Sequence, residues 1–205
     1  MNKLTTFYIV RHGQTTWNTA EIMQGSSDSP LTDKGVEGAA QLGKTFKHIK
    51  FDLAYSSDLM RAKRSAEIIL LERELAVQST NLIRERAYGE FEGKHNSNYK
   101  IVNETLNKLT DEERYFFKYS KGIESDKEIV ERFLIFIREV AIANPGKTVL
   151  VVSHGGIMRA LLVKLGFGSY EELRAGSVKN MGWFKLATDG VDFFIKETEN
   201  IKLLN

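Results

Sequence analysis

The sequence has no cysteine, only two prolines and almost no net charge. Without cysteine it can form no disulfide, no thiolate nucleophile and no cysteine-ligated zinc site. The 29 basic and 27 acidic residues leave a formal net charge of +2. Because that charge creates no global field, we expect neither nucleic acid nor a membrane as a partner. Any anion-binding site must therefore be local.

The sequence also lacks long apolar runs. None approaches the length needed to span a bilayer, and the first residues do not have the composition of a signal peptide. We therefore expect a cytoplasmic protein. The 205 residues, 42% of them hydrophobic, suffice for a sizeable core, and no linker or low-complexity tract divides them. The sequence predicts one domain over residues 1–205 and leaves the oligomeric state open.

Two short apolar runs each end in a histidine and a glycine. They are residues 7–13 (FYIVRHG) and residues 149–155 (VLVVSHG). Continuous β-branched runs suit strands that are covered on both faces of a parallel sheet. Ligands bind beyond the carboxyl ends of the strands in such sheets. His12 and His154 are therefore candidates for one site, although they lie at opposite ends of the chain.

Strands and helices alternate along the rest of the sequence. Strands are predicted at residues 6–11, 51–55 and 148–153, and a C-terminal hairpin at 181–187 and 191–197. Helices are predicted after Thr32, after Asp58, around 129–140 and at 156–165. This order predicts an α/β fold with an antiparallel addition at the sheet edge. Residues 94–127 are polar and mixed in charge, and we expect a lid-like excursion from the core there.

Arg11, His12 and Gly13 form the sharpest local feature. A neutral imidazole is a good nucleophile near pH 7, and a guanidinium is a planar, permanent partner for phosphate oxygens. Gly13 allows the backbone to turn and to approach a ligand closely. Taken alone, the tripeptide is also compatible with a solvated strand end.

Further motifs follow the tripeptide. They are Trp17-Asn18, Gln24-Gly25, residues 28–32 (DSPLT), 56–62 (SSDLMRA), 85–93 (ERAYGEFEG) and 153–156 (SHGG). In this order and spacing the chain resembles the histidine phosphatase superfamily, also called the phosphoglycerate mutase-like family. The resemblance covers nearly the whole chain. It implies a three-layer α/β/α sandwich with a mostly parallel central sheet.

The resemblance also implies roles for individual residues. His12 takes the phosphoryl group covalently, in a phosphate pocket that includes Arg11, Arg61 and His154, and Glu85 is the proton donor. Further substrate contacts are implied for Thr15, Asn18, Gln24, Gly25, Arg86, Tyr88 and Gly155. Two arginines and a second imidazole, protonated if the pocket is sufficiently anionic, would neutralise the charge of a phosphate monoester. Free N–H groups at a helix beginning near Gly155-Gly156 would favour the same anion.

The implied reaction has two steps. His12 attacks phosphorus while Glu85 protonates the leaving alkoxide, and Glu85 then deprotonates a water that attacks the phosphohistidine. Either its surroundings or the charge of the bound phosphate must keep Glu85 protonated at the first step. Glu92 is a competing candidate for the acid, but we expect it to orient backbone. We expect no cofactor and no metal, because arginines supply the positive charge and no clustered metal-ligand spacing occurs.

The family includes phosphatases and mutases, and the stretch 94–127 bears on the choice. Cofactor-dependent mutases are generally longer and carry an Arg-Arg pair there, whereas this stretch has only Arg114. Residues 122–125 (GIES) also favour a phosphatase, while residues 85–89 (ERAYG) are close to the mutase pattern. We therefore expect a metal-independent histidine acid-type phosphatase acting on a small-molecule phosphomonoester. The alternatives are a 2,3-bisphosphoglycerate-dependent phosphoglycerate mutase and a non-catalytic phosphate-binding regulatory module.

Two further histidines, Arg64 and five aromatic residues lie outside these motifs. We assign no function to His48, at a predicted helix end, and regard His95 as an exposed loop residue. Arg64 is expected on the surface or in an ion pair. The aromatic residues of the stretch 94–127 either form an apolar wall for the substrate or pack a small lid on the core. These are Tyr99, Tyr115, Phe116, Phe117 and Tyr119.

Overall fold

The computed structural model describes residues 3–204 and contains six β-strands and seven α-helices in that range. The strands are β1 (Thr5–Arg11), β2 (Leu53–Ser57), β3 (Val77–Thr80), β4 (Thr148–Ser153), β5 (Val178–Thr188) and β6 (Phe193–Ile201). The helices are α1 (Thr16–Thr19), α2 (Asp33–Thr45), α3 (Met60–Ile69), α4 (Lys100–Leu106), α5 (Asp111–Phe116), α6 (Asp126–Ala143) and α7 (Gly155–Lys164). Within residues 3–204, none of the helices has the length and apolar character that crossing a membrane requires.

All six strands lie in one sheet in the order β3-β2-β4-β1-β5-β6. Strands β1 to β4 pair in parallel, whereas β5 and β6 are antiparallel additions at one edge. Parallel neighbours need crossover connections, which the intervening helices supply. The predicted α/β fold with a mostly parallel sheet and an antiparallel edge is confirmed.

Strand β1 shows why the sheet is covered on both faces. Its side chains alternate, so Phe7 and Ile9 pack in the core cluster that contains α6 and α7. Tyr8 and Val10 pack in the cluster that contains α2 and α3. Both faces are therefore buried, as the continuous apolar run predicts. The three layers are α/β/α.

The register of β1 and β4 places the two histidine-containing loops side by side. Val10 pairs with Val152 and Arg11 with Ser153, so the two parallel strands end at the same level. The backbone N–H of His12 then donates to the carbonyl oxygen of Ser153 over 3.0 Å. The fold thus joins segments from opposite ends of the chain at one edge of the sheet.

Several boundaries differ from the sequence expectation. Strand β2 covers Leu53–Ser57, two residues later than the predicted 51–55. Phe51 is buried in the core but precedes the strand. Strand β3 was not predicted; it has four residues, is mostly polar and lies at the sheet edge. Helix α7 begins one residue earlier than predicted. Both hairpin strands are longer than predicted, and the register of their pairing shifts at two places.

The stretch 94–127 contains α4 and α5 and a 3₁₀ turn at Asn96–Tyr99. Tyr99, Val102, Leu106 and Ile123 form a small buried cluster of their own. This cluster is separate from the two clusters on the faces of the sheet. The stretch therefore has a buried apolar cluster of its own.

Candidate active site

The two histidines at the strand ends face each other. The ring centres of His12 and His154 are 5.1 Å apart, with the planes inclined at 61°. Both residues are buried, at 3% and 0% exposure. The fold therefore brings the two predicted histidines together.

A hydrogen bond defines the state of the His12 ring. Nδ1 lies 2.7 Å from the carbonyl oxygen of Gly13, which can only accept, so Nδ1 carries the proton. Burial lowers the pKa of His12 well below its usual value, and the charges of Arg61 and Arg11 lower it further. The ring is therefore neutral near pH 7. Its other nitrogen, Nε2, has a free lone pair and can act as a nucleophile.

Two arginines sit beside this ring and are held by backbone carbonyls. Arg61 donates to the carbonyl oxygens of Ser27 over 2.6 Å and Gly25 over 2.7 Å. It also pairs with Asp28 at 3.1 Å. Arg11 donates to the carbonyl oxygen of Val178 over 2.7 Å. The Nε atom of each arginine is buried without a hydrogen-bond partner among residues 3–204, so each retains a donor for an anion.

His154 also has unused hydrogen-bonding capacity. Neither ring nitrogen has a partner among the residues that the structure describes. Burial lowers the pKa of His154 well below its usual value, and the charge of Arg61 is the next largest cause. Without an anion, this imidazole is therefore neutral. A bound phosphate would place negative charge beside it and favour the protonated form that the sequence analysis considered.

Because the pKa values of His12 and His154 are both lowered, the protein should lose stability as the solution becomes acidic. Below pH 6.5 the unfolded chain binds protons that the buried rings of His12 and His154 do not accept. The free energy of unfolding should therefore fall as pH drops from 6.5 towards the folded-state pKa, by at most about 1.4 kcal/mol per pH unit for each ring.

Urea unfolding across pH 5 to 7 measures this dependence, with His154→Asn expected to give a shallower slope than the wild type. His48→Asn, which changes an exposed histidine, is the matched control and should keep the wild-type slope. Equal slopes for His154→Asn and the wild type would contradict the prediction.

Glu85 lies at the N-terminus of α7 and is bound there by backbone donors. Its carboxylate accepts from the N–H of Gly156 over 2.8 Å, of Ile157 over 3.0 Å and of Arg86 over 2.8 Å. The expectation that the N–H groups at the start of this helix serve the phosphate is therefore wrong for Gly156 and Ile157. The helix N-terminus stabilises the carboxylate of the proposed acid instead.

Gly156 is required for this placement. A Cβ atom at Gly156 would lie 2.6 Å from Oε1 of Glu85, closer than such atoms approach in proteins. Gly156→Ala should therefore displace the carboxylate while α7 itself, which tolerates alanine, still forms. We expect activity on an alkyl phosphate to fall about 100-fold or more, the scale of lost general-acid catalysis.

The measurement is kcat/KM together with the thermal unfolding midpoint. Gly38→Ala is the matched control, because this helical glycine has only the flexible side chain of Met181 nearby, at 3.3 Å. An unchanged kcat/KM in Gly156→Ala would contradict the proposed placement of Glu85.

Most of the residues implied as substrate contacts surround one cavity of about 340 Å³. Its wall includes Arg11, His12, Arg61, Glu85, Asn18, Gln24, Gly25, Arg86, Tyr88 and Gly155. Thr15 is the exception, because it is fully buried and caps α1 by accepting from the N–H of Asn18 over 3.2 Å. The expected substrate contact of Thr15 is therefore corrected to a structural role.

Glu92 has the orienting role that the sequence analysis expected. Its carboxylate accepts from the N–H groups of Ser26 over 3.0 Å, Ser27 over 3.1 Å and Tyr88 over 2.9 Å. It therefore ties the loop that holds Arg61 to the loop that follows Glu85. Arg64 is exposed and pairs with Glu67, also as expected.

Several residues near the cavity were not predicted from the sequence. Asn180, in β5, donates through Nδ2 to the carbonyl oxygen of His12 over 3.0 Å and to Oδ1 of Asn18 over 3.3 Å. The next residue, Met181, has a left-handed backbone with φ of 59°, within an irregular part of the β5–β6 pairing. Arg114 and Arg159 line the cavity as well. A lone asparagine or arginine in the sequence carries no signal for these contacts.

The aromatic residues of the stretch 94–127 divide between the two expected roles. Tyr99 lines the cavity, and its ring contacts Tyr88 at 5.2 Å between centres. Tyr115 and Phe117 pack against buried clusters. Phe116 and Tyr119 are exposed. Only Tyr99 among these five contributes to the wall.

Known proteins match the chain over most of its length. The family model described as the histidine phosphatase superfamily (branch 1) matches residues 7–201. An uncharacterized phosphatase, PhoE, of Bacillus subtilis is 33% identical over 168 residues, covering 82% of this chain and 81% of that protein. A 2,3-bisphosphoglycerate-dependent phosphoglycerate mutase of Methylocella silvestris is 34% identical over 170 residues, covering 77% and 79%.

Solved structures agree with the fold. A phosphoglycerate mutase from Bacillus anthracis superposes with a TM-score of 0.81 at 29% identity, covering 97% of this chain and 94% of that one. Bacillus stearothermophilus YhfR superposes with a TM-score of 0.82 at 26% identity, covering 97% and 100%. The chain is therefore similar to both phosphatases and mutases.

Proposed function

The chain belongs to the histidine phosphatase superfamily (branch 1), and we propose that it hydrolyses small-molecule phosphomonoesters through a phosphohistidine on His12. One observation carries this proposal. The free Nε2 of a neutral, buried His12 lies in a cavity with two arginines that have spare donors and with a carboxylate, Glu85. These are the parts that a covalent phosphoryl transfer needs.

In the first step Nε2 of His12 attacks phosphorus and the bond from phosphorus to the leaving oxygen breaks. Arg11, Arg61 and His154 stabilise the charge on the three phosphoryl oxygens that do not react. Glu85 gives its proton to the leaving oxygen, so an alcohol departs. The backbone donors of Gly156 and Ile157 hold the carboxyl group of Glu85 in place for this transfer.

In the second step Glu85, now ionised, takes a proton from a water. The water oxygen bonds to phosphorus while the bond between phosphorus and Nε2 of His12 breaks. Inorganic phosphate forms, and neutral His12 is restored. The hydrogen bond from Nδ1 to the Gly13 carbonyl stabilises the positive charge that the ring carries in the phosphoenzyme.

A metal-independent reaction is part of the proposal. Among residues 3–204 no group of three or more His, Asp or Glu side chains is arranged to hold a metal ion. The arginines supply the positive charge that such an ion would otherwise contribute. The charge of these arginines supports a reaction that survives a chelator.

A phosphoglycerate mutase is the second candidate, because relatives that carry that name are as similar to the chain as the phosphatase is. Against it, the stretch 94–127 has one arginine and the chain has no Arg-Arg pair. A mutase must also protect its phosphoenzyme from water. We therefore rank hydrolysis first.

The test uses chelator-treated protein and measures two products from 3-phosphoglycerate. Hydrolysis releases inorganic phosphate, whereas a mutase yields 2-phosphoglycerate in a reaction that depends on 2,3-bisphosphoglycerate. We expect phosphate release from an aryl phosphate and from other monoesters, without need of the bisphosphate. Strong bisphosphate-dependent isomerisation would overturn the ranking. Phosphate binding without turnover or a labelled enzyme would indicate a binding module instead.

A further inference from the structure

The segment that carries Glu85 is irregular. We call residues 82–87 the acid segment; they belong to no helix or strand. Its backbone carbonyl groups therefore need hydrogen-bond donors from elsewhere. No backbone N–H among residues 3–204 donates to the carbonyl oxygens of Leu82, Arg84 or Glu85. The course of the main chain at Glu85 therefore depends on side chains.

Arg132, in α6, supplies the missing donors. Its Nη1 donates to the carbonyl oxygen of Leu82 over 2.9 Å and to that of Arg84 over 2.7 Å. Its Nη2 donates to the carbonyl oxygen of Glu85 over 3.0 Å. One guanidinium group therefore binds three carbonyl groups of the acid segment, including that of Glu85 itself.

Glu124 holds the guanidinium group of Arg132 in this orientation. Its carboxylate accepts from Nε and from Nη2 of Arg132, each over 3.0 Å. Each of the five N–H groups of Arg132 therefore has an acceptor. The same carboxylate accepts from the N–H of Ala87 over 2.8 Å, at the end of the acid segment. The side chain of Arg132 is only 17% exposed, so salt screens these contacts less than it would on an open surface.

Glu85 is thus held at both ends, from two different helices. The N–H groups of Gly156 and Ile157, at the start of α7, bind its carboxyl group over 2.8 and 3.0 Å. Arg132, from α6, binds its main chain. Fixing both ends leaves the side chain one position relative to the cavity. Because a misplacement of about 1 Å can cost roughly 100-fold in rate, catalysis should be sensitive to the anchor at Arg132.

We infer that Arg132 is a positioning residue for general acid–base catalysis: it fixes the acid segment so that the carboxyl group of Glu85 meets the leaving oxygen. Arg132 does not line the cavity, so it acts through Glu85 and not on the substrate. The inference rests on the proposed function, because it takes Glu85 as the acid. It extends the catalytic machinery to the helix behind the acid segment.

A charge effect would leave a different signature from a loss of position. Burial is the largest cause of the lowered pKa of His154, and three other side chains contribute more to it than Arg132 does. An effect of the Arg132 charge on His154 would be preserved by lysine and would slow all esters alike. Lysine could not preserve the position, because its single nitrogen cannot replace the planar fork that spans three carbonyl oxygens and Glu124.

The test measures an alkyl phosphate and p-nitrophenyl phosphate in Arg132→Lys. We expect kcat/KM for the alkyl phosphate to fall about tenfold to a hundredfold, because its leaving alkoxide needs the proton of a well-placed acid. The first turnover of p-nitrophenyl phosphate, measured by rapid mixing, should change little. Arg84→Lys is the matched control and should keep both rates. Arg84 precedes Glu85 in the acid segment, but its side chain points to Asp58, with which it pairs at 2.6 Å.

A double variant connects the effect of Arg132 to Glu85. If Arg132 acts by placing the carboxyl group, Arg132→Lys should cost little more once Glu85→Gln has removed the acid. The double variant should then hydrolyse the alkyl phosphate at nearly the rate of Glu85→Gln alone. Circular dichroism reports whether each variant folds. If Arg132→Lys does not fold, Glu124→Gln, which removes the acceptor of Nε of Arg132, takes its place in both comparisons.

Two kinetic results would overturn the inference. One is an Arg132→Lys variant that loses both esters by the same factor, or loses neither. The other is a double variant whose loss on the alkyl phosphate is the product of the two single losses. Either result would show that Arg132 does not act through the acid.

Amide hydrogen exchange separates this inference from the proposed function. The N–H groups of Gly156 and Ile157 bond to the carboxylate of Glu85, so they should exchange faster in Arg132→Lys than in the wild type or in Arg84→Lys. If the wild type hydrolyses no ester, the proposed function fails and this measurement still reports the position of the carboxylate. Unchanged exchange at both N–H groups would show that Arg132 does not position Glu85.

Discussion

Replacing His12 with alanine is expected to lower kcat for any phosphomonoester by about 10⁵-fold or more, the scale seen when an enzyme loses its covalent nucleophile. Neither His154 nor Glu85 can substitute, because only His12 has its free nitrogen prepared by the bond from Nδ1 to the carbonyl oxygen of Gly13. Phosphate release from an aryl phosphate measures the loss.

Covalent labelling of the enzyme by its substrate gives a second measure of the effect of His12→Ala. Protein mixed with a ³²P-labelled substrate and quenched in alkali should retain label in the wild type and none in His12→Ala, and acid should release it. His48→Ala, an exposed histidine, is the matched control and should behave as the wild type. Activity or label in His12→Ala equal to that of the wild type would exclude the mechanism.

The meeting of the two histidines could be predicted from the sequence because it depends on a simple rule of parallel sheets. Each apolar run had to be a strand covered on both faces, and each histidine followed the carboxyl end of its strand. The rule does not say that the two strands are neighbours. The register of Val10 with Val152 supplies that fact, and it brings the rings to 5.1 Å.

Strand β3 could not be predicted for a physical reason. Of its four residues only Val77 is apolar, and as an edge strand it needs no continuous apolar run. Its pairing with β2 comes from the tertiary structure and not from local propensity. Strand β6, at the other edge of the sheet, is also longer than predicted. An edge strand need not alternate apolar and polar residues regularly, and the prediction depended on that alternation.

The missed site residues share another cause. Asn180 reaches His12 from a strand at the other end of the chain, through an irregular segment in which Met181 has positive φ. Arg114 comes from the stretch 94–127, and its position beside Arg159 depends on how α5 packs near Tyr170. Single residues brought together by packing leave no periodic pattern in the sequence. Only the coordinates show that they line the same cavity.

Glu85→Gln is expected to have the second largest effect, and its size should depend on the leaving group. An alkoxide needs a proton as it departs, so an alkyl phosphate should lose about 10²- to 10⁴-fold in kcat/KM. A nitrophenolate departs without a proton, so the first turnover of p-nitrophenyl phosphate should slow little. Glutamine keeps the shape, and its amide oxygen in the place of Oε1 can still accept from the N–H groups of Arg86 and Ile157, whereas the bond from Gly156 is lost.

The second step of the reaction gives a separate kinetic test of the role of Glu85. Without a base to activate water, the phosphoenzyme of Glu85→Gln should persist after that fast first turnover. Rapid mixing with p-nitrophenyl phosphate should therefore show a burst of nitrophenolate close to one equivalent, followed by a steady rate far below that of the wild type. The labelled enzyme should accumulate in parallel.

Glu92→Gln separates this chemistry from a structural effect. Glu92 lies in the same motif, but its carboxylate binds the backbone of Ser26, Ser27 and Tyr88. Its loss should displace the loop that holds Arg61, and should therefore slow alkyl and aryl phosphates by the same factor without a burst. If Glu85→Gln showed that uniform pattern and Glu92→Gln the leaving-group dependence, the acid would be Glu92. The backbone donors at the start of α7 would then hold Glu85 only as a structural cap.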